Sequence, residues 1–182
     1  MDLAIVGLSP TTHDLAFEKE FDEVWGMPWD EGYYHYYSRL FEMHNLELLR
    51  SIECRPKGYE ERLKEVYVPL YMQEEYEDFP CIRYPVESVA ATTGDYFNSS
   101  IAYMVALAIH ENVNSLSLYG VDMKDDEEFF YQRPNLEYLL GVAIGKGIKV
   151  NIPEQSPVLK FNPNGIKFGN EFVKYRIRYG NQ

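Results

Sequence analysis

Residues 101–109, IAYMVALAI, offer no polar face apart from the hydroxyl of Tyr103. A helix that is apolar all round is covered on most sides, so this segment belongs at the centre of a layered fold. Asn98, Ser99 and Ser100 stand directly in front of it. Asn98 or Ser99 suits an N-cap, whose side-chain oxygen satisfies one of the unpaired first-turn N–H groups. A cap needs one such side chain, whereas two successive hydroxyls also offer an anion the partial positive charge of a helix start. Capping and ligand binding both remain open at this point.

The flanking segments predict the layers. Residues 3–6 read as a short buried strand that stops at Gly7 and turns through Pro10. A short helix, a second strand over 23–27 and a third ending near His44 follow. Residues 46–55 read as helical, because the residue before Pro56 is pushed out of the α region. The segments EVYVPLYM and CIRYPVESV read as extended pieces interrupted by Pro69, Pro80 and Pro85, which suits edge or lining positions. A strand over 116–119 comes next, then a helix with Pro134 in its first turn and a stop at Gly145 or Gly147, then a final strand in KVNIP.

Strands alternating with helices predict the α/β class: a three-layer Rossmann-like domain with a mostly parallel sheet over residues 1–153 and right-handed crossovers. The pattern changes after Pro153, where an Asn-Pro-Asn-Gly turn and strict alternation over 172–179 predict a C-terminal antiparallel hairpin appendage, residues 154–182. Both parts are expected to form a single domain.

Charge narrows the partners. The 182 residues carry a formal net charge of −12, which repels a phosphate backbone at long range and argues against general nucleic-acid binding. A small anionic ligand still binds where local donors meet it. Residues 154–182 set five cations against Glu154 and Glu171, a net +3 that leaves −15 for the rest; such a basic tail suits docking, including homo-oligomer formation through residues 162–182. The two cysteines, Cys54 and Cys81, and the absence of a signal-like start or of a run near the ~20 residues of a membrane span predict a cytoplasmic protein without a membrane segment. Histidines 13, 35, 44 and 110 lack HExxH or HxH spacing, so no metal site is expected.

Ligands of open α/β sheets collect at the carboxyl ends of the strands. Ser9, Thr11, Thr12 and His13 follow the first strand there, in a hydroxyl-rich loop able to cradle a phosphate or simply to cap a helix. His44 follows the third strand and can serve as a base or as a structural histidine. Asp122 can accept from a sugar hydroxyl, hold a divalent metal, or bond its own turn. In the loop KDDEEFFYQRP, Arg133 matches phosphate oxygens with its guanidinium fork, and Gln132 can read a base or sugar. The tyrosines at 33, 34, 36 and 37 can stack on a base or fill core and interface.

The block NSSIAYMVALAIHENVNSLSLYGVDM and the opening AIVGLSPT resemble the core of the small bacterial CMP-sialic-acid sialyltransferases and of their relatives, the motility accessory factors and MptE-like pterin pyrophosphokinases. A group of uncharacterised tailed-phage Rossmann-like proteins is more similar still, through VWG at 24–26, RLFEMH at 39–44, SSIAYMVALAI at 99–109, YGVDM at 119–123, QRPNLEYLLG at 132–141 and IPEQSPVLK at 152–160. The sialyltransferase resemblance implies a CMP moiety against Gly7, Ser9 and Ser100, and a catalytic histidine in the loop after the G.D strand. Residues 124–135 of this chain contain no histidine. Three functions are therefore carried forward: a phage-encoded nucleotide or nucleotide-sugar binding protein of glycosyltransferase type, a non-catalytic module that sequesters a nucleotide in the host cytosol, and a structural or assembly protein.

Overall fold

The computed structural model describes residues 1–30, 33–51, 57–123, 127–160, 166–168 and 171–173. Seven strands, β1 (Asp2–Val6), β2 (Glu23–Gly26), β3 (Arg39–Glu42), β4 (Leu70–Met72), β5 (Cys81–Arg83), β6 (Ser115–Tyr119) and β7 (Lys149–Asn151), make one sheet of order β5-β4-β3-β2-β1-β6-β7. Every neighbouring pair is parallel. The chain runs outward from β1 to β5, then returns through two helices to lay β6 against the other side of β1. That reversal opens a crevice at the carboxyl ends of β1 and β6, where doubly wound sheets bind ligands.

Side-chain alternation along β1 builds the layers. Leu3 and Ile5 enter the core on one face, while Ala4 and Val6 enter it on the other. Helices α3 (Val86–Thr93), α4 (Ser100–His110) and α5 (Glu127–Gly145) cover the first face; α1 (Leu46–Ser51), α2 (Tyr59–Lys64) and a 3-10 turn over His13–Glu18 cover the second. The result is a seven-stranded parallel sheet flanked by helices, a Rossmann-like α/β fold.

The expected central helix is α4. Ile101, Ala102 and residues 104–109 are buried, and the helix packs between α3 and α5 over β1. Its five large aliphatic side chains stabilise this position by about 1.5–3 kcal/mol each, so the core sets where α4 begins. His110 ends it, with Nδ1 at 2.8 Å from the hydroxyl of Thr92 on α3.

Four elements differ from expectation. β4 lies inside the sheet: Pro69 precedes it, so no ladder N–H is lost, and the Pro69 carbonyl accepts from Leu40 at 2.9 Å. Only residues 81–83 of CIRYPVESV are extended; α3 starts right after Pro85, whose carbonyl accepts the Val89 N–H at 3.0 Å. α5 begins at Glu127, seven residues before Pro134, which is inside the helix. The short helix after β1 is a 3-10 turn over His13–Glu18 rather than an α-helix.

In the tail, β8 (Ile166–Phe168) and β9 (Glu171–Val173) pair antiparallel, with Ile166 opposite Val173, in a separate two-stranded sheet. The remaining alternation over 174–179 and Cys54 lie outside the described residues. Among the described residues, no helix is long and apolar enough to cross a membrane.

Candidate functional site

A cavity of about 690 Å³ opens at the carboxyl ends of β1, β2, β3, β4 and β6 and reaches the amino end of α4. That volume suits one small organic ligand. The floor is formed where β1 meets β6. Gly7 donates its N–H to the Tyr119 carbonyl at 2.8 Å, and Ser9 donates its own to the Gly120 carbonyl at 2.9 Å. A Cβ on Gly7 would collide with the Gly120 carbonyl oxygen, and one on Gly120 with that of Gly7. Gly120 also has φ of +61°, a region glycine enters without strain. Two glycines therefore let the two turns interlock beneath the cavity.

The opening loop is tied to the turn after β6. Ser9 Oγ and Thr11 Oγ1 donate to Asp122 Oδ2 at 2.7 and 2.6 Å. Thr12, 1% exposed, accepts the Gly120 N–H on its hydroxyl oxygen at 2.8 Å. Asp122, 6% exposed, lines the cavity, so the donors of Ser9 and Thr11 hold it in place while it faces the ligand space.

The amino end of α4 forms one wall. Ser99 is the N-cap, accepting the Ala102 N–H on Oγ at 3.2 Å. Ser100 also lines the cavity, and among the described residues its hydroxyl has no hydrogen-bond partner. Ser99 thus takes the capping role left open by the sequence, while Ser100 faces the cavity. Asn135, fully buried on α5, holds the loop in front of them: its Oδ1 accepts the Asn98 N–H at 3.1 Å and its amide donates to the Tyr96 carbonyl.

Methionines 27, 43 and 123, Ile101, Tyr103 and Phe129 supply the apolar wall. Burial raises the pKa of Tyr103, which keeps its hydroxyl a donor. None of the described lining residues is Lys or Arg; among them, the α4 terminus is what offers an anion positive potential.

Gly7, Ser9, Asp122, Ser99, Ser100, Gln132 and His44 thus meet in one cavity. Thr11 and Thr12 support it from behind. Two expectations need correction. Arg133 does not line the cavity; its Nε donates to Glu137 Oε1 at 2.9 Å and its terminal nitrogen to the Pro157 carbonyl at 2.6 Å, tying α5 to the segment after β7. His13 is buried away from the cavity, its ring nitrogens at 2.8 Å from Asp14 Oδ1 and 2.6 Å from Asp30 Oδ2. Nor do Tyr33, Tyr36 and Tyr37 line the cavity: Tyr33 stacks on Phe17, and Tyr37 donates to Asp30 from the core.

Sequence reasoning missed Glu42, Gln73 and the methionine wall. Glu42 was legible as the residue two before His44 on a strand, hence on its side of the sheet. Gln73 donates to the Met43 carbonyl at 2.7 Å across the ends of β3 and β4, a contact no local pattern encodes. Among the described residues, no three His, Cys, Asp or Glu side chains gather as a metal site.

No protein-family model and no curated protein sequence matches the chain. Its fold is similar to a solved structure of the sialyltransferase CstII from Campylobacter jejuni in complex with a substrate analogue, CMP-3FNeuAc, with a TM-score of 0.55 over 95% of this chain and 94% of that one at 14% identity. The chain therefore shares the fold of that structure.

Proposed function

We propose that the cavity binds a nucleotide or nucleotide-sugar and that the protein is a glycosyltransferase-like enzyme. The observation that carries this is the start of α4: Ser99 caps the helix, and Ser100 lines the cavity beside the helix N–H groups. Asp122, held by Ser9 and Thr11, suits a sugar hydroxyl, and the methionine and aromatic wall suits a base. The fold shared with a sialyltransferase solved in complex with the substrate analogue CMP-3FNeuAc supports the same ligand class. The resemblance to tailed-phage proteins supports a phage origin.

Calorimetry of the full chain against CMP, UDP, GDP, ADP-ribose and cyclic nucleotides tests the proposal. Binding of at least one ligand is expected, with Ser100→Val weakening it by about 10- to 100-fold, as loss of a hydrogen bond to a charged group costs about 1.5–3 kcal/mol. The thermal midpoint of Ser100→Val stays near that of the wild type, because Ser99 retains the cap. No binding at millimolar ligand overturns the proposal.

A second reading, a module that sequesters a nucleotide without converting it, is favoured by the absence of histidine from residues 124–135. Recovery of a bound nucleotide-sugar unaltered after denaturation supports it; recovery of a product eliminates it.

A further inference from the structure

A histidine that lines the cavity and a buried carboxylate behind it have the arrangement of a base and its support. Glu42, the last residue of β3, is 2% exposed. A buried carboxylate is costly unless hydrogen-bonded, and this one is well provided. Oε2 accepts from the Tyr59 hydroxyl and, at 3.4 Å, from the Trp29 indole N–H. Oε1 accepts the backbone N–H of His44 at 3.1 Å and meets His44 Nδ1 at 2.5 Å.

That contact decides which nitrogen carries the proton. A carboxylate at Nδ1 is an acceptor, so the proton resides on Nδ1 and the neutral ring keeps its lone pair on Nε2. The His44 side chain is 37% exposed and lines the cavity, and Nε2 lies on the ring edge opposite Glu42. The contact with Glu42 fixes the ring's orientation and tautomer and leaves Nε2 as the acceptor that a general base requires. The carboxylate that does line the cavity, Asp122, already accepts from Ser9 and Thr11 on Oδ2, an arrangement that suits holding a hydroxyl.

We infer that His44 is the general base of this site and that Glu42 is its positioning residue. The inference rests on the proposal that the cavity takes a nucleotide-sugar. In the step, the hydroxyl of an acceptor or a water gives its proton to His44 Nε2 as its oxygen bonds to the anomeric carbon. The bond from that carbon to the phosphate oxygen breaks, and its electron pair departs with the nucleotide, whose negative charge rests at the α4 amino end. The proton on Nε2 then leaves to solvent through the exposed ring edge. A base at the end of β3 also removes the need for a histidine in residues 124–135.

The test uses the full chain with CMP-, UDP- and GDP-linked sugars, reading nucleotide release by chromatography and nucleotide affinity by calorimetry. His44→Ala is expected to lower kcat at least ~100-fold while nucleotide affinity stays within about threefold, a difference of under ~0.7 kcal/mol. Added imidazole is expected to restore a measurable part of the lost rate. Glu42→Gln is expected to lower kcat about tenfold or more with KM unchanged, because orientation of the base matters at the transition state. Near-wild-type kcat in His44→Ala, or no rescue by imidazole, overturns the inference. So does a wild-type chain that binds nucleotide yet releases none from any of these sugars, and that result leaves the binding proposal standing. A chain that binds no nucleotide overturns both.

Discussion

His13 shows what one residue behind the site contributes. Its two nitrogens face two carboxylates, so both contacts are satisfied only by the doubly protonated ring. Burial pulls its pKa down, but the bonds to Asp14 and Asp30 outweigh burial and raise it above the ordinary value; Asp14 is lowered, first by its bond to His13 and then by that to Tyr33. A raised folded-state pKa contributes stability that is fully present below the unfolded value near ~6.5 and is lost as pH rises through the folded one. Asp14 contributes in the other direction, above its unfolded value, losing it as pH falls. Urea denaturation should therefore find the wild type more stable at pH 6 than at pH 9, and His13→Gln should be less stable at pH 6 by about 1–3 kcal/mol, the cost of leaving buried polar groups unmatched. The pH 6 to pH 9 difference should shrink in the variant; an unchanged difference would mean that His13 stays neutral in the fold. The effect bears on the site because Thr12, its chain neighbour, pins the turn after β6.

At the scale of elements, α5 separates packing from propensity. Leu136, Leu139, Leu140 and Ala143 are fully buried on one side, whereas a Cβ added at Gly141 meets nothing within 4 Å. Glycine inside a helix costs about 0.5–1 kcal/mol relative to alanine, so Gly141→Ala should stabilise the protein by that amount and raise the thermal midpoint by about 1–4 °C. A lower midpoint in calorimetry would show that another surface covers this face. The same helix explains what the sequence left illegible. Pro134 marks a first turn by statistics, but here the chain tolerates it inside α5, and the acidic run before it is already partly helical. Pro85 concealed α3 for the opposite reason: at a helix start its missing N–H costs nothing. β1, β6 and α4 were legible because their apolar runs match the burial they meet, and once the strand ends were placed, Ser9, His44, Ser99, Ser100 and Asp122 followed. Arg133 was not, since adjacent helical residues point about 100° apart: Gln132 reaches the cavity, and Arg133 turns to Glu137 one turn on.

For the whole molecule, the far field and the near field oppose each other. A net charge of −12 repels an anion at a distance, while the described cavity lining without Lys or Arg attracts it only through the α4 terminus and hydroxyls, which act over a few ångströms. Salt screens the first and hardly touches the second, because the Debye length shrinks from about 20 Å at ~20 mM to about 8 Å at ~150 mM. The association rate constant for a nucleoside monophosphate should therefore rise severalfold across that range, the reverse of the falling affinity of proteins that meet phosphates with lysines and arginines. Stopped-flow mixing with a fluorescent nucleotide measures it directly. A rate that falls with salt would mean that cations draw the ligand in, and the excess of them in residues 154–182 would then be the place to look, with Lys167→Glu and Arg176→Glu expected to abolish the salt dependence.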